Sequence, residues 1–196
     1  MTPTHSEGVR LPPERHHPLI VIAGPTASGK STIGAAVAQR LSVPFVDGDD
    51  LHSAENKALM ASGVPLTDGH RAPWLATVSR ALADAEPTGG LVVACSALAQ
   101  RYRDAIRLDA PSVWFAVLQA DEEELARRSA ARTDHFMPPE LVRSQLDLLE
   151  PLAQGEHGSM IDTSDRNVER IVDAVISAHA KAGHAHGARP GFRDQR

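Results

Sequence analysis

Residues 24–31 read Gly24-Pro25-Thr26-Ala27-Ser28-Gly29-Lys30-Ser31, the spacing G-x-x-x-x-G-K-[ST] of a phosphate-binding loop. Backbone N–H groups of such a loop wrap the phosphates of a nucleotide. The Lys30 amine reaches the β- and γ-phosphates, and the Ser31 hydroxyl holds Mg²⁺. The helix opening at Ser31 and Thr32 adds its positive dipole end. Further on stands Asp47-Gly48-Asp49-Asp50-Leu51-His52. At the end of a strand, residues i and i+2 share a face, so Asp47 and Asp49 can point into one site. Phosphoryl transfer uses carboxylates in that way: one in the Mg²⁺ shell, another orienting the acceptor hydroxyl and taking its proton. The same stretch also suits an Asp-rich turn that caps the next helix. Spacing alone leaves both readings open, and the loop upstream favours chemistry.

Three further segments carry reactive or recognising side chains. In the Gly/Pro-rich stretch 60–75, Arg71 offers a planar fork for a carboxylate or phosphate. Trp74 offers either a flat wall with one N–H donor or a core residue. At 95–96, Ser96 places a hydroxyl at a strand tip, whereas Cys95 ends an apolar run and reads as a buried structural thiol. Around 121–132, Glu123 and Glu124 stand four residues before Arg127 and Arg128, as in ordinary surface pairs. Arg128 and Arg132 also share a face, and a segment carrying them could close over phosphates and exclude water.

The elements that must position these groups are legible. Leu19–Ala23 is a short continuous apolar run, the pattern of a buried parallel strand. Ile33, Val37 and Leu41 repeat at i, i+4, i+8 just after the loop. Strands are expected at 19–23, 44–47, 91–95, 112–118 and 159–162. Helices are expected near 31–41, 53–61, 73–85, 98–108, 121–132, 138–149 and 167–181. Pro73 and Pro138 suit first helical turns, and Asp121 with Glu124 resembles a capping box. The alternation predicts an α/β domain: a five-stranded parallel sheet with helices on both faces, right-handed crossovers and a helical lid at about 126–140. Residues 1–17 and 182–196 are polar and without apolar period, and read as disordered tails around a domain at 18–181.

Bulk properties narrow the class. A chain of 196 residues with 42% hydrophobic residues is long enough for one domain with a real core. A formal net charge of −5 leaves no basic footprint for nucleic acid. The apolar runs are too short to span a bilayer, and the N-terminus has no apolar signal core. A single cysteine, Cys95, excludes an internal disulfide and fits a reducing cytoplasm.

Taken together, the segments resemble the gluconate kinases, small P-loop sugar-acid kinases related to shikimate kinase. The resemblance runs from about residue 19 to 178. It is carried by the loop, "DGDDLH" at 47–52, "MASGVPL" at 60–66, Asp68 with "RAPWL" at 71–75, "CSAL" and "YRD" within 95–104, "HFMP" at 135–138 and "SQLDLLEP" at 144–151. It implies ATP- and Mg²⁺-dependent phosphorylation of the 6-hydroxyl of D-gluconate in the cytoplasm, by a homodimer. Carried residue by residue, it implies that Lys30 and Ser31 handle phosphate and Mg²⁺, with Asp47 in the metal shell and Asp49 facing the acceptor hydroxyl. His52, Arg71, Trp74 and Arg103 would shape the sugar-acid pocket, an arginine meeting the carboxylate. Arg128 and Arg132 would belong to the lid, and His135 would touch the acceptor.

The chain departs from the family at Leu59 and Ala99, where lysines are usual, at His70, usually acidic, and at Ala27 and Asp134, usually Gly. An alanine at position 27 is harmless provided its φ is negative. The changes at Leu59, Ala99 and His70 fall on or near the acceptor side, where Lys57 and Arg101 could supply cations. A related kinase for another hydroxy acid, or a nucleotide-binding regulator without catalysis, are the alternatives. The second is opposed by the presence of Lys30, Ser31, Asp47 and Asp49.

Overall fold

A computed structural model describes residues 17–131, 139–164 and 166–186. Five strands, β1 (Leu19–Ala23), β2 (Phe45–Asp47), β3 (Leu91–Ala94), β4 (Trp114–Gln119) and β5 (Gly158–Asp162), form one parallel sheet in the order β2-β3-β1-β4-β5. Each begins and ends within two residues of its expected place. Among the described residues seven α-helices accompany them: α1 (Lys30–Leu41), α2 (Ala54–Ala61), α3 (Asp68–Ala85), α4 (Gln100–Arg107), α5 (Glu122–Ala130), α6 (Pro139–Leu148) and α7 (Val168–His186). None of the described helices is long and apolar enough to cross a membrane.

The central strand explains the layering. Because successive side chains alternate, Leu19, Val21 and Ala23 of β1 face one way and Ile20 and Ile22 the other. The first set packs with Trp74, Leu75, Val78 and Leu82 of α3 and Tyr102 and Ile106 of α4. The second packs with Ile33 and Val37 of α1 and Ile171, Val172 and Val175 of α7. Both faces of β1 are therefore dry, which is why its sequence is continuously apolar. The carboxyl ends of β1, β2 and β3 lie side by side, and the segments that carry the phosphate loop, the Asp cluster, Arg71, Trp74 and Arg103 follow them, whereas Arg128 follows β4.

Three expectations are corrected. First, α3 begins at Asp68, not at Pro73. Thr67 caps it in a reciprocal capping box: the His70 N–H donates to Thr67 Oγ1 at 3.3 Å and the Thr67 N–H donates to His70 Nδ1 at 3.3 Å. Pro73 then lies inside the helix, where it gives up one i→i−4 bond. The departure at His70 is thus a change of cap, with an imidazole nitrogen doing what Glu does in the usual box. Second, Asp121 stands at the start of α5 without a side-chain capping bond, because Glu124 turns instead to Arg127 and Arg128. Third, α7 runs on to His186, past the expected limit at 181.

Ala27 departs from expectation in a way that has a stability consequence. Its φ is 60°, in the left-handed region, and the residue is 6% exposed. A Cβ there costs about 1–2 kcal/mol, against roughly 0.5–1 kcal/mol for the extra chain freedom of Gly. Ala27→Gly should therefore raise the stability of the domain by about 0.5–1 kcal/mol in urea unfolding. A loss of stability would contradict the strain at this position.

Candidate functional site

The phosphate loop leaves β1 at Gly24. Its φ of 141° and the approach of Leu118 O, 2.6 Å from where a Cβ would stand, admit only glycine. Ala27 at φ 60° and Gly29 at φ 91° then turn the backbone twice into left-handed conformations. Such turns aim successive N–H groups into a concavity, the geometry that takes an anion. α1 starts immediately, at Lys30, so its amino end points into the same concavity. Lys30 Nζ donates to Pro25 O at 2.8 Å, folding the amine back along the loop. The Ser28 hydroxyl is buried beneath the loop without a described partner.

β2 brings the carboxylates to this loop. Ser31 Oγ donates to Asp47 Oδ2 at 2.6 Å. The other oxygen, Asp47 Oδ1, accepts the Asp49 N–H at 3.1 Å, so Asp47 also caps the 3₁₀ turn formed by residues 48–51. The capping reading of the Asp cluster is thus realised at Asp47, which also faces the phosphate loop through Ser31. The shared-face argument for Asp49 is corrected, because the strand ends at Asp47 and Asp49 lies in the turn. Its carboxylate is exposed and makes no hydrogen bond to another described residue. Gly48 lets the turn press on β3: a Cβ there would sit 2.5 Å from Ala94 O. Hydroxyl and carboxylate oxygens 2.6 Å apart beside an anion nest are the hard donors that a Mg²⁺–phosphate group takes.

The next layer packs against this turn. Trp74 Nε1 donates to Gly48 O at 2.7 Å, and the His52 ring stacks on the indole with centroids 4.2 Å apart and planes 14° off parallel. Trp74 is 3% exposed, so it is at once core and wall. Burial lowers the His52 pKa; Asp49 opposes this, while Lys57 and Arg71 add to it. Burial thus favours the neutral imidazole. With the Asn56 amide 3.4 Å from Nδ1, we assign the ring proton to Nε2. Arg71 donates to the Tyr102 hydroxyl at 3.2 Å, and that hydroxyl donates to Asp68 Oδ1 at 2.5 Å. Arg101 closes the cluster through Asp68 Oδ2 at 3.1 Å and stacks its guanidinium 4.6 Å from the Tyr102 ring centre. The bond from Tyr102, then that from Arg101, hold Asp68 below the usual carboxylate range.

Of the cations expected to compensate for the missing lysines, Arg101 is thus paired and Lys57 donates to Asp50 O at 2.9 Å. Ala99 is fully buried at the cap of α4. Cys95 fits the structural reading: burial, foremost, pushes its thiol up to about 12, and the charges it senses include Asp49, Lys30 and Asp47.

Arg103 does not join the pocket. It is fully buried, and its guanidinium forks onto Glu156 with two bonds of 2.9 Å. It also donates to Leu98 O at 2.9 Å, Glu150 O at 3.2 Å and Pro151 O at 3.1 Å. The residue ties the loop after β3 to the chain entering β5. The reason is electrostatic: a buried guanidinium demands a buried carboxylate, and Glu156 stands 53 residues away in sequence. Burial raises the Glu156 pKa, but the bonds and charges of Arg103 and Arg107 and the Ala153 N–H outweigh it, so the net shift is downward. A lowered native pKa means stability present at neutral pH and lost as pH falls past the ordinary glutamate value of 4.5 and through the native one. Glu156→Gln should cost about 3–5 kcal/mol at pH 7, because Arg103 is left uncompensated. It should also flatten the acid limb of a stability–pH curve. Unchanged stability at pH 7 would overturn the clamp.

Arg128 is likewise held away from the loop. It pairs with Glu124 at 2.6 Å and donates to Thr163 Oγ1 at 3.2 Å and Thr163 O at 2.8 Å, at the carboxyl end of β5. Swinging over the phosphates would require breaking all three bonds. Arg132 and His135 lie outside the described residues, as do Asp134 and Pro138. Sequence reasoning missed Tyr102, Glu156, Glu150 and Gln145. Glu150 accepts the Gln100 N–H at 2.6 Å, and Gln145 accepts the Thr26 N–H at 2.6 Å. The last two lie within the family-like stretch 144–151, the one signal that pointed to them.

Comparison with known proteins agrees with this geometry. The family model described as shikimate kinase matches residues 26–180. A gluconokinase of Gluconobacter oxydans is 41% identical over 164 residues, covering 83% of this chain and 91% of that protein. A probable gluconokinase of Dictyostelium discoideum is 38% identical over 170 residues, covering 81% and 84%. The crystal structure of a gluconokinase from Sinorhizobium meliloti 1021 superposes with a TM-score of 0.80 at 37% identity, covering 90% of this chain and all of the other.

Proposed function

The chain belongs to the gluconokinases, within the shikimate kinase family of P-loop kinases, and from that premise we propose that it transfers the γ-phosphate of ATP to the 6-hydroxyl of D-gluconate. The observation that carries the proposal is the Ser31–Asp47 contact of 2.6 Å, which joins the phosphate loop to the carboxylate turn that holds Asp49. That contact supports a site for transfer at the carboxyl ends of β1 and β2.

The residues divide the work as follows. Loop N–H groups and the Lys30 amine balance the charge of the phosphates, and Pro25, Thr26, Ser28 and Thr32 frame the loop. Ser31 and Asp47 would hold Mg²⁺, which when bound supplies neutralisation of phosphate oxygens. Asp49 accepts the proton of the attacking hydroxyl. The new bond joins the gluconate 6-oxygen to the γ-phosphorus, and the bond from that phosphorus to the bridging oxygen of ADP breaks. Arg71 meets the acceptor carboxylate, and His52 and Trp74 form the wall beside it. Arg132 and His135 keep the lid and acceptor roles that the family implies. Arg103 is a clamp and Arg128 an anchor to β5, so neither is assigned to the transfer. The lone buried Cys95 supports a cytoplasmic enzyme, and the family alone supports a homodimer.

A second reading, a kinase for another sugar acid, is favoured by one observation: the usual lysines are replaced by half-buried Leu59 and buried Ala99. ADP release measured with and without gluconate separates an active enzyme from a silent nucleotide binder. Gluconate-stimulated release is expected; nucleotide binding without stimulated release by any sugar acid would contradict catalysis.

A further inference from the structure

We propose that Gln145 is a positioning residue for phosphoryl transfer, which fastens α6 to the phosphate loop through the Thr26 amide. The contact spans 119 residues of sequence, with Thr26 N donating to Gln145 Oε1 at 2.6 Å. A backbone N–H can only donate, so the amide oxygen must face it, and the side chain's orientation is fixed by chemistry. Thr26 is 8% exposed and Gln145 half-buried, so the bond sits where water has little access.

The second fastening lies five residues on. The Glu150 N–H donates to Leu98 O at 3.0 Å, Glu150 Oε2 accepts the Gln100 N–H at 2.6 Å, and Glu150 O accepts from Arg103 at 3.2 Å. These partners belong to the loop after β3 and the start of α4. That loop in turn touches the phosphate loop, where the Gly24 N–H donates to Ser96 O at 3.3 Å. The end of α6 therefore bridges the donor loop and the chain beside the acceptor. Helical rise makes the bridge a stiff spacer of about 4.5 Å between Gln145 and Leu148, the last residue of α6. Thr26 leads into the two left-handed turns at Ala27 and Gly29, so a pull on its amide moves the whole concavity. In-line transfer is sensitive to such shifts, a misplacement of about 1 Å costing about a hundredfold in rate.

The inference rests on the gluconokinase reading only for the acceptor used to measure rates. Gln145→Leu removes the accepting oxygen at similar size; Gln145→Met repeats the test should leucine disturb α6. The readouts are hydrogen exchange of the Thr26 amide in the nucleotide-free protein, and kcat and KM for ATP and for the sugar acid that the wild type phosphorylates. Expected are exchange at Thr26 at least about tenfold faster, kcat lower by about 10–100-fold, and both KM values within about twofold. Unchanged exchange at Thr26 would overturn the contact. Faster exchange with unchanged kcat would overturn the positioning role. A wild type that phosphorylates other sugar acids but ignores gluconate would count against the functional reading and leave this one standing.

Discussion

Lys30→Ala is expected to lower kcat/KM by about 10²–10³-fold or more while leaving the fold intact, because it removes a charge aimed at the phosphates from a preorganised site. Lys30 is the first residue of α1, and its amine donates to Pro25 O within the loop. Alanine is the best helix former, so the start of α1 loses little. The apolar contacts that hold α1 to the sheet come from Ile33, Val37 and Ala38, which the change does not touch. Initial rates paired with a thermal melt make the comparison. A variant with more than a tenth of wild-type kcat/KM, or one whose loss tracks a fall in Tm, would remove Lys30 from the catalytic role.

Asp49→Asn tests the other half of the transfer. The carboxylate projects from an exposed turn, and the turn is held by the Asp49 main-chain N–H on Asp47, which asparagine keeps. Asparagine also keeps the volume but cannot take a proton. General-base removal lowers kcat by about 10²–10⁴-fold, whereas the KM for ATP and the melting temperature should hold. Asp47→Asn would be the less informative change, since Asp47 accepts from both Ser31 Oγ and the Asp49 N–H. Full activity of Asp49→Asn would mean that the acceptor proton goes elsewhere.

Much of the fold was legible because its signals are local. β1 is apolar without interruption, the loop has fixed spacing, and α1 shows helical period, so strand, loop and helix follow from the neighbouring residues 19–41. The start of α3 was not legible, because Pro73 imitates a first-turn residue and His70 stands where a capping box normally shows Glu or Gln. Long-range pairing hid the rest. Nothing near "YRD" says that Arg103 will be buried against Glu156, or that Gln145 will reach Thr26. A charged residue in a family-like motif was read as a pocket residue when it is a clamp. The sign of φ at Ala27 was equally out of reach, since alanine gives no hint of the left-handed turn that glycine would have announced.

These corrections also change the view of the acceptor side. Of the three departures there, His70 is accounted for by the α3 cap, leaving Leu59 and Ala99 as the two lost cations. Arg71 remains, held by Tyr102 and Asp68, as the guanidinium we propose for the acceptor carboxylate. The most direct measurement is kcat/KM with ATP and Mg²⁺ across a panel of sugar acids, with shikimate as an outside comparison. Gluconate as the preferred acceptor, with the phosphate found on its 6-hydroxyl, is the predicted result. Turnover of another acid with gluconate untouched would contradict it.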